Sequence, residues 1–311
     1  MRSSPEAIYP EVRNGVRTHA KNKDSNMAVA NIVTRTSEPA IRKGGAKSIP
    51  FKVAIVGWID LLGYGEMISD VGYNPIASQA KKPISRLRAF HRIVAEHSTR
   101  NFRTLVLNDG AVAYRDLSLR GSANTVDFFC RAWDLFEAVN SLETRNGFPG
   151  ARMVVAPGLR AKGSRRAIDY TSGHLDSILR RMADGTISAD QAVREAATIQ
   201  KYFDVLPQLQ ANFAFSKAYI AEQGGRKFGL GGPAFYVDDM IFDGTKPDWI
   251  DGDEPIEWEM PKYKLATTFH PVRGARRPKG SLGEIPGFCD GIGVATQIAP
   301  EDAAAYAIRT K

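Results

Sequence analysis

The chain has 311 residues, of which 43% are hydrophobic and 24% are charged, as in an ordinary soluble globular protein. Its 42 Lys and Arg residues exceed its 34 Asp and Glu residues, which gives a net charge of +8. That excess suits anionic ligands but is too modest to indicate a nucleic-acid-binding protein. No apolar run approaches the ~18–20 residues of a membrane span, and the N-terminus has no signal-peptide core.

The cysteine content indicates a reducing environment. The two cysteines, Cys130 and Cys289, are far apart in the sequence and form no CxxC motif. This argues against a disulfide framework and against a thiolate metal site. We therefore expect a soluble cytoplasmic protein.

The composition divides the chain into three segments. Residues 1–49 hold nine Lys or Arg and four Asp or Glu residues without sustained hydrophobic periodicity, and we interpret them as a mostly disordered basic tail. Residues 50–245 form the main folded domain. Residues 246–311, which are rich in turn-forming residues, form an extension that packs on this domain or continues it.

Taken in chain order, the folded part opens with a buried strand, predicted by the apolar run from Phe51 to Ile59. Apolar side chains along one face predict a helix from Ile84 to His97. Two β-prone stretches between Phe102 and Tyr114 then flank Asn-Asp-Gly, a strong hairpin signal. The later elements are a helix over Thr125–Val139, a strand over Arg152–Arg160 broken by Pro157-Gly158, polar helices over 174–201, a helix over Asn212–Gln223 and a strand at Phe235–Val237.

The order of these elements is strand, helix, hairpin, helix and strand. It predicts an α+β fold on the ferredoxin-like βαββαβ plan, with an antiparallel sheet and flanking helices. In that plan the first strand and the hairpin are neighbours.

Asp60 interrupts the apolar run of the first strand, just before Gly63 and Gly65. A lone carboxylate in such a run is costly unless it is paired, hydrogen-bonded or bound to a cation. The glycines allow backbone N–H groups to turn toward a ligand beside the acid. Asp60 is therefore either part of a binding site or the N-cap of a helix.

Asp109 lies at the tip of the predicted hairpin, where it can meet Asp60 at one edge of the sheet. Two such carboxylates suit two divalent ions ~3.5–4 Å apart, which would bridge the phosphates of a nucleoside triphosphate. Asn-Asp-Gly also forms hairpin turns that have no function. Only the combination of the two acids is informative.

The sequences around Asp60 and Asp109 both resemble motifs of the class III nucleotide cyclases. Trp58-Ile-Asp60-Leu-Leu-Gly63-Tyr64 resembles the F-x-D-x-x-G-F strand and turn of the family. Asp109, after Leu105-Val-Leu, resembles the family's second metal-binding aspartate, which is also on a hairpin.

Two further motifs follow in the family's order. Arg152-Met-Val-Val-Ala-Pro-Gly158 is similar to its R-x-G-V-H-S-G strand, and the segment from Asn212 to Gly225 is similar to the helix after its base-recognition strand. The nearest variant is the group of divergent pyrimidine cyclases of the bacterial Pycsar antiphage system. The resemblance covers roughly residues 51–237.

The resemblance implies an enzyme that converts UTP or CTP into cyclic UMP or cyclic CMP and pyrophosphate. It implies two Mg²⁺ or Mn²⁺ ions held by Asp60, Leu61 and Asp109, and a homodimer with composite active sites. The product would act on a separate effector in antiviral defence. The implied nucleotide contacts are Leu62, Gly63, Tyr64, Arg103, Arg160 and Lys217, with Asn212 orienting the ribose.

The chain also departs from the family pattern. Ala156 and Pro157 replace the His and Ser of the third motif, and Ser216, next to Lys217, stands where the late helix of the family has an Arg. Leu105 replaces the Lys with which adenylyl cyclases read adenine. This loss fits a changed base preference, for which Arg103 or Tyr64 could supply replacement contacts.

Three alternatives remain open from the sequence. A non-catalytic cyclase-like module that binds nucleotide or a partner is favoured by the imperfect late helix. A diguanylate cyclase would use a similar sheet, but the G-G-[DE]-E-F hairpin is absent. A nucleic-acid binder acting through the basic tail would show a steep salt dependence.

Overall fold

The computed structural model describes residues 51–162, 170–199, 206–277, 279–301 and 303–304. The predicted basic tail, residues 1–49, lies outside the described residues. Within the described ranges, no helix combines the length and the apolar character needed to cross a membrane.

Strands and helices are mixed along the chain, which confirms the predicted α+β class. The strands are β1 (Phe51–Leu61), β2 (Arg103–Leu107), β3 (Gly110–Asp116), β4 (Ala151–Ala161), β5 (Phe235–Asp238), β6 (Ile250–Gly252), β7 (Ile256–Met260) and β8 (Leu265–Ala275). The helices are α1 (Tyr64–Asp70), α2 (Lys81–His97), α3 (Ala123–Arg145), α4 (Tyr170–Ala183), α5 (Ala189–Ala197), α6 (Phe213–Gly224) and α7 (Gly291–Ile298).

The strands form a single sheet in the order β2-β3-β1-β4-β5-β8-β6, and β7 pairs with β8. β1 is antiparallel to both β3 and β4. The order of the first four strands is that of the βαββαβ plan, so the ferredoxin-like prediction is confirmed. β5 then adds in parallel beside β4.

β1 is the central strand and is covered on both faces. Ile55 and Ile59 face one hydrophobic core, which includes residues of α2 and α3. Val56 and Trp58 face a second core, which includes the alanines of α6. Because side chains alternate along a strand, Lys52 and Asp60 also lie on the α6 face.

The predicted break in β4 is wrong, since the strand continues through Pro157 and Gly158 to Ala161. β5 pairs only with Met153–Val155, so Pro157 lies outside the strand pairing on that edge of β4, before the bridge between Arg160 and Asn212. A proline is tolerated where its missing N–H faces an unpaired edge. The uninterrupted strand carries Arg160 to the far end of the sheet.

The chain beyond residue 245 contributes strands to the same sheet. β8 pairs antiparallel with β5, and β6 and β7 both pair with β8. Trp258 of β7 is 1% exposed and packs with Phe269 in the core on the α6 face. The extension therefore continues the sheet of the domain.

Candidate active site

Asp60 lies near the end of β1 on the face that packs against α6. It is in register with Gly110 of β3 and with Arg152 of β4. A Cβ atom at Gly110 would lie 2.5 Å from Cζ2 of Trp58 and 3.1 Å from Oδ1 of Asp60. Only glycine at this position therefore leaves room for the carboxylate beside the buried indole ring.

Asp109 lies next to Asp60, at the tip of the β2–β3 hairpin. The Leu61 N–H donates a 3.1 Å hydrogen bond to the Asp109 carbonyl oxygen. Asn108, with a left-handed φ of 57°, donates from Nδ2 to Oδ1 of Asp109 at 3.0 Å. Nε2 of His91 lies 2.8 Å from the Asn108 carbonyl oxygen. The structure thus brings Asp109, on a hairpin that is tied to α2, next to the end of β1 that carries Asp60.

The acid pair lacks compensating positive charge. Burial, followed by the negative charges of Glu222 and Asp109, raises the pKa of Asp60 to about 8. Arg152 and Arg86 act in the opposite direction but do not offset these effects. Without a bound cation, Asp60 is therefore largely protonated at neutral pH.

The turn between β1 and α1 presents backbone N–H groups beside the acids. Gly63 has a left-handed φ of 71° and begins α1 without a side-chain cap. In the described part of the chain, the N–H groups of Gly63, Tyr64 and Gly65 have no acceptor. The Leu62 N–H, which was predicted to join them, instead donates to the Gly150 carbonyl oxygen at 2.9 Å. Leu62 is thus a structural member of the turn, and three amides are free to face an anion.

Arg86 of α2 fixes this turn to the core. It is 3% exposed, and its NH2 group donates to the Leu62 carbonyl oxygen at 2.9 Å. Its Nε donates to Oε2 of the buried Glu143 at 3.0 Å, and Phe148 stacks over the guanidinium at 4.7 Å. A rigid, buried cation therefore supports the turn from behind.

Arg152 and Glu222 form a second buried ion pair beside Asp60. Nε and NH2 of Arg152 donate to Oε1 of Glu222 at 3.1 and 2.6 Å. Glu222 is 1% exposed, so the pair is shielded from water. Sequence reasoning missed the roles of Arg86, Arg152 and Glu222. Arg152 and Glu222 adjoin apolar residues, the signal that singled out Asp60, whereas Arg86 lies in a basic segment where one more arginine is inconspicuous.

Tyr64 does not face the candidate site as a base contact. Its ring is 3% exposed and belongs to the core formed with α2 and α3. Burial, and then the negative charge of Asp109, raises the pKa of Tyr64. The side chain is therefore part of the core, and only the backbone N–H of Tyr64 belongs to the free amides of the turn.

Arg103 and Arg160 lie along the sheet away from Asp60, with Arg160 at the opposite end. Arg160 is in register with Lys52. Lys52 precedes Asp60 by eight residues on β1, so the two are about 26 Å apart along the strand, at ~3.3 Å per residue. Arg160 is 5% exposed and holds both carboxylate oxygens of Asp116 at 2.6 Å. The exposed Arg103 pairs in register with Tyr114, which pairs with Val56, four residues from Asp60 on β1. Neither arginine joins the acids within one subunit.

Asn212 and Lys217 have structural partners. Asn212 caps α6, because Oδ1 accepts the Phe215 N–H at 3.1 Å while Nδ2 donates to the Gln208 carbonyl oxygen at 2.8 Å. Lys217 turns inward to an ion pair with the fully buried Asp238. Both side chains are buried, so neither is free to contact a ribose or phosphate in this arrangement.

The donor set at the acid pair fits a divalent cation with hard oxygen ligands. Among the described residues, no three His, Cys, Asp or Glu side chains converge on a metal-sized space. A cation here would be held by Asp60 and Asp109, with the Leu61 backbone and oxygens of a ligand completing the shell. Mg²⁺ and Mn²⁺ commonly bind in this way, through one or two carboxylates plus ligand phosphates.

Comparison with known proteins finds similarity only among solved structures. No family model and no curated protein matches the chain. The guanylyl cyclase Cya2 is 12% identical with a TM-score of 0.41, over 74% of this chain and 96% of that one. The guanylate cyclase domain of RhGC from Catenaria anguillulae in complex with GTP is 10% identical with a TM-score of 0.37, over 72% and 98%. The dimeric guanylyl cyclase domain of the RhoGC fusion protein from Blastocladiella emersonii is 9% identical with a TM-score of 0.36, over 73% and 97%.

Proposed function

We propose that this protein is a class III-like nucleotide cyclase that converts a nucleoside triphosphate into a 3′,5′-cyclic nucleotide and pyrophosphate. The observation that carries the proposal is the pairing of Asp60 with Asp109 beside the free amides of Gly63–Gly65. A metal-dependent phosphate site of this kind is what phosphoryl transfer requires from a protein.

The acids and the backbone amides of the turn would have separate roles in the reaction. Asp60 and Asp109 would hold Mg²⁺ or Mn²⁺, which when bound would lower the pKa of the attacking ribose 3′-hydroxyl and neutralise the triphosphate. The 3′-oxygen then forms a bond to the α-phosphorus, the bond to the β-phosphate oxygen breaks, and the hydroxyl proton passes to solvent. The N–H groups of the turn hold the phosphate oxygens.

The active unit would be a homodimer. Each subunit carries unpaired acids at one end of β1 and a surplus of cations at the other, so two antiparallel copies would bring opposite charges together. The same face exposes apolar side chains, with Phe213 66% and Leu107 46% exposed. In such a dimer, Arg103, Arg160 and the late helix of one subunit would approach the acids of its partner.

The substrate would be UTP or CTP, and the cyclic UMP or cyclic CMP product would activate a separate effector in antiviral defence. This part of the proposal rests on the resemblance to the Pycsar cyclases. Leu105 supports it, because this half-buried apolar residue pairs with Val112 at the position where a purine-reading lysine would stand.

The proposal is tested by incubating the pure protein with each of the four ribonucleoside triphosphates and Mn²⁺, and identifying the products by mass. We expect a cyclic pyrimidine monophosphate from the wild type and from Asp134→Asn, which alters an exposed acid on α3. Asp60→Ala and Asp109→Ala should both give none. Absence of a cyclic product from every triphosphate defeats the proposal, and activity in both alanine variants defeats the site.

A second candidate function is that of a non-catalytic cyclase-like module that binds nucleotide or a partner. The capping role of Asn212 and the inward ion pair of Lys217 favour it, because these positions then have no catalytic duty. It predicts metal-dependent nucleotide binding without turnover in the same assay.

A further inference from the structure

A cavity of about 540 Å³ opens at the end of β1 opposite Asp60, and its lining is strongly basic. Among the described residues that line it, Asp116 is the one acid. Six of these described residues are cationic: Lys52, Arg100, Arg103, Arg115, Arg160 and Lys162.

Part of this positive charge is neutralised by protein acids. Asp116 is shared between Lys52, at 3.0 Å, and the buried Arg160, at 2.6 Å. Arg115 pairs with Asp127 at 2.7 Å. The cavity wall is thus held in place by fixed ion pairs.

The rest of the charge is uncompensated. Within the described ranges, Arg100, Arg103 and Lys162 have no acidic partner. In addition, the single carboxylate of Asp116 is shared by two cations, Lys52 and Arg160. The cavity therefore carries a net positive charge of several units, in a space of the size that small-molecule sites occupy.

Gln208 supplies an independent sign of a missing ligand. It lines the cavity, and its Oε1 is buried without a donor among the described residues. A buried polar atom without a partner is costly. Because the two ends of a side-chain amide are interchangeable by rotation, Gln208 can present either an acceptor or a donor to a bound molecule.

We propose that this cavity binds a small oligophosphate without a divalent cation. Arginine guanidinium groups match phosphate oxygens in pairs, and the three unpaired cations suit the charge of a diphosphate or triphosphate group. The cavity is a site separate from the acid pair of the same subunit. Oligophosphate binding by the cavity does not require the proposed activity, whereas the source of the phosphate groups rests on it.

The test is calorimetric titration of the full-length protein with tripolyphosphate in the presence of EDTA. We expect binding to the wild type that weakens as salt is raised. Arg103→Gln and Lys162→Gln should each weaken it about tenfold, as for the loss of one charge-assisted hydrogen bond. Arg92→Gln removes an exposed arginine from α2, on the other face of the sheet, and should change nothing. Asp60→Asn should also bind normally.

The source of the phosphate groups is settled by competition in the cyclase assay. Competitive inhibition by tripolyphosphate against the nucleoside triphosphate would identify the ligand as the substrate's own phosphates, whereas non-competitive inhibition or no inhibition would identify a separate phosphorylated molecule. Undetectable binding, binding that persists in both cavity variants, or tight binding of an RNA oligonucleotide with none of tripolyphosphate would overturn the proposal.

Discussion

Two carboxylates on the α6 face of the sheet, Asp60 and Asp116, show opposite electrostatic situations. Burial raises the pKa of Asp60 to about 8, and the nearby acids Glu222 and Asp109 add to the effect. Burial also acts to raise the pKa of Asp116, but hydrogen bonds from Arg160 and Lys52 outweigh it and the pKa is lowered.

The difference shows what each end of the sheet lacks. The Asp60 end has more negative charge than the surrounding protein balances, and the Asp116 end has more positive charge than its acids balance. Because buried charges require partners, the first end is suited to bind a cation and the second an anion.

The largest effect is expected from Asp109→Asn. The substitution keeps the size of the side chain but removes the charge that would hold a divalent cation, so kcat/KM for cyclic nucleotide formation should fall by at least about 1,000-fold. Steady-state kinetics with the preferred triphosphate measures it. A loss of less than about tenfold would show that Asp109 is only a hairpin-turn residue.

Removing the cation behind the glycine turn should cost the most stability. Arg86→Ala leaves Glu143 buried and unpaired, and the free energy of unfolding should fall by about 3–5 kcal/mol. The matched control, Arg273→Ala, breaks an ion pair whose side chains are 69% and 46% exposed, and should cost at most about 1 kcal/mol. Equal losses in urea denaturation would refute the structural role of Arg86.

Asp60→Asn should stabilise the metal-free protein in a pH-dependent way. Between pH 4 and 8 the folded state retains a proton on Asp60 that the unfolded state has lost, so wild-type stability falls as the pH rises through the folded pKa of about 8. The variant lacks this titration. Its advantage should be near zero at pH 4 and roughly 2–4 kcal/mol at pH 8.5. An advantage that does not change with pH would show that the pKa of Asp60 is ordinary.

Asp116→Asn should lower the free energy of unfolding, by less than Asp60→Asn raises it. The folded pKa of Asp116 is lowered, so its contribution is complete above the unfolded value and is lost only as the pH falls through the folded pKa. The variant should be less stable by about 1–2 kcal/mol from pH 5 to 8, with no trend over that range. Thermal unfolding measured across this pH range distinguishes the two aspartates. If stability depended on pH in the same way in the Asp60→Asn and Asp116→Asn variants, the proposed difference between the two ends of the sheet would be wrong.

The sequence was sufficient for the core of the fold because local patterns agreed with one another there. The apolar run of β1 and the Asn-Asp-Gly hairpin were each recognisable, and together they fixed the βαββαβ order. The predicted end of α3 at Val139 fell short of Arg145, because Glu143 is buried by an ion pair with Arg86 that no local pattern shows.

The adjacency of Asp60 and Asp109 also followed from the sequence, since strand order alone determined it. What could not be predicted was the partner of each charged side chain. Lys217 was interpreted as a possible phosphate ligand, yet it pairs with Asp238, which is distant in sequence. Arg160 was placed near the phosphates by the family resemblance, yet β4 continues through Pro157 and carries Arg160 to the other end of the sheet.

Titration with Mn²⁺, followed by the electron paramagnetic resonance signal of the free ion, tests most directly whether Asp60 and Asp109 form one cation site. We expect that wild type and Asp134→Asn bind Mn²⁺, more tightly at pH 8.5 than at pH 6, and that Asp60→Asn and Asp109→Asn each abolish this binding. Unchanged Mn²⁺ binding in either of these two variants would contradict it.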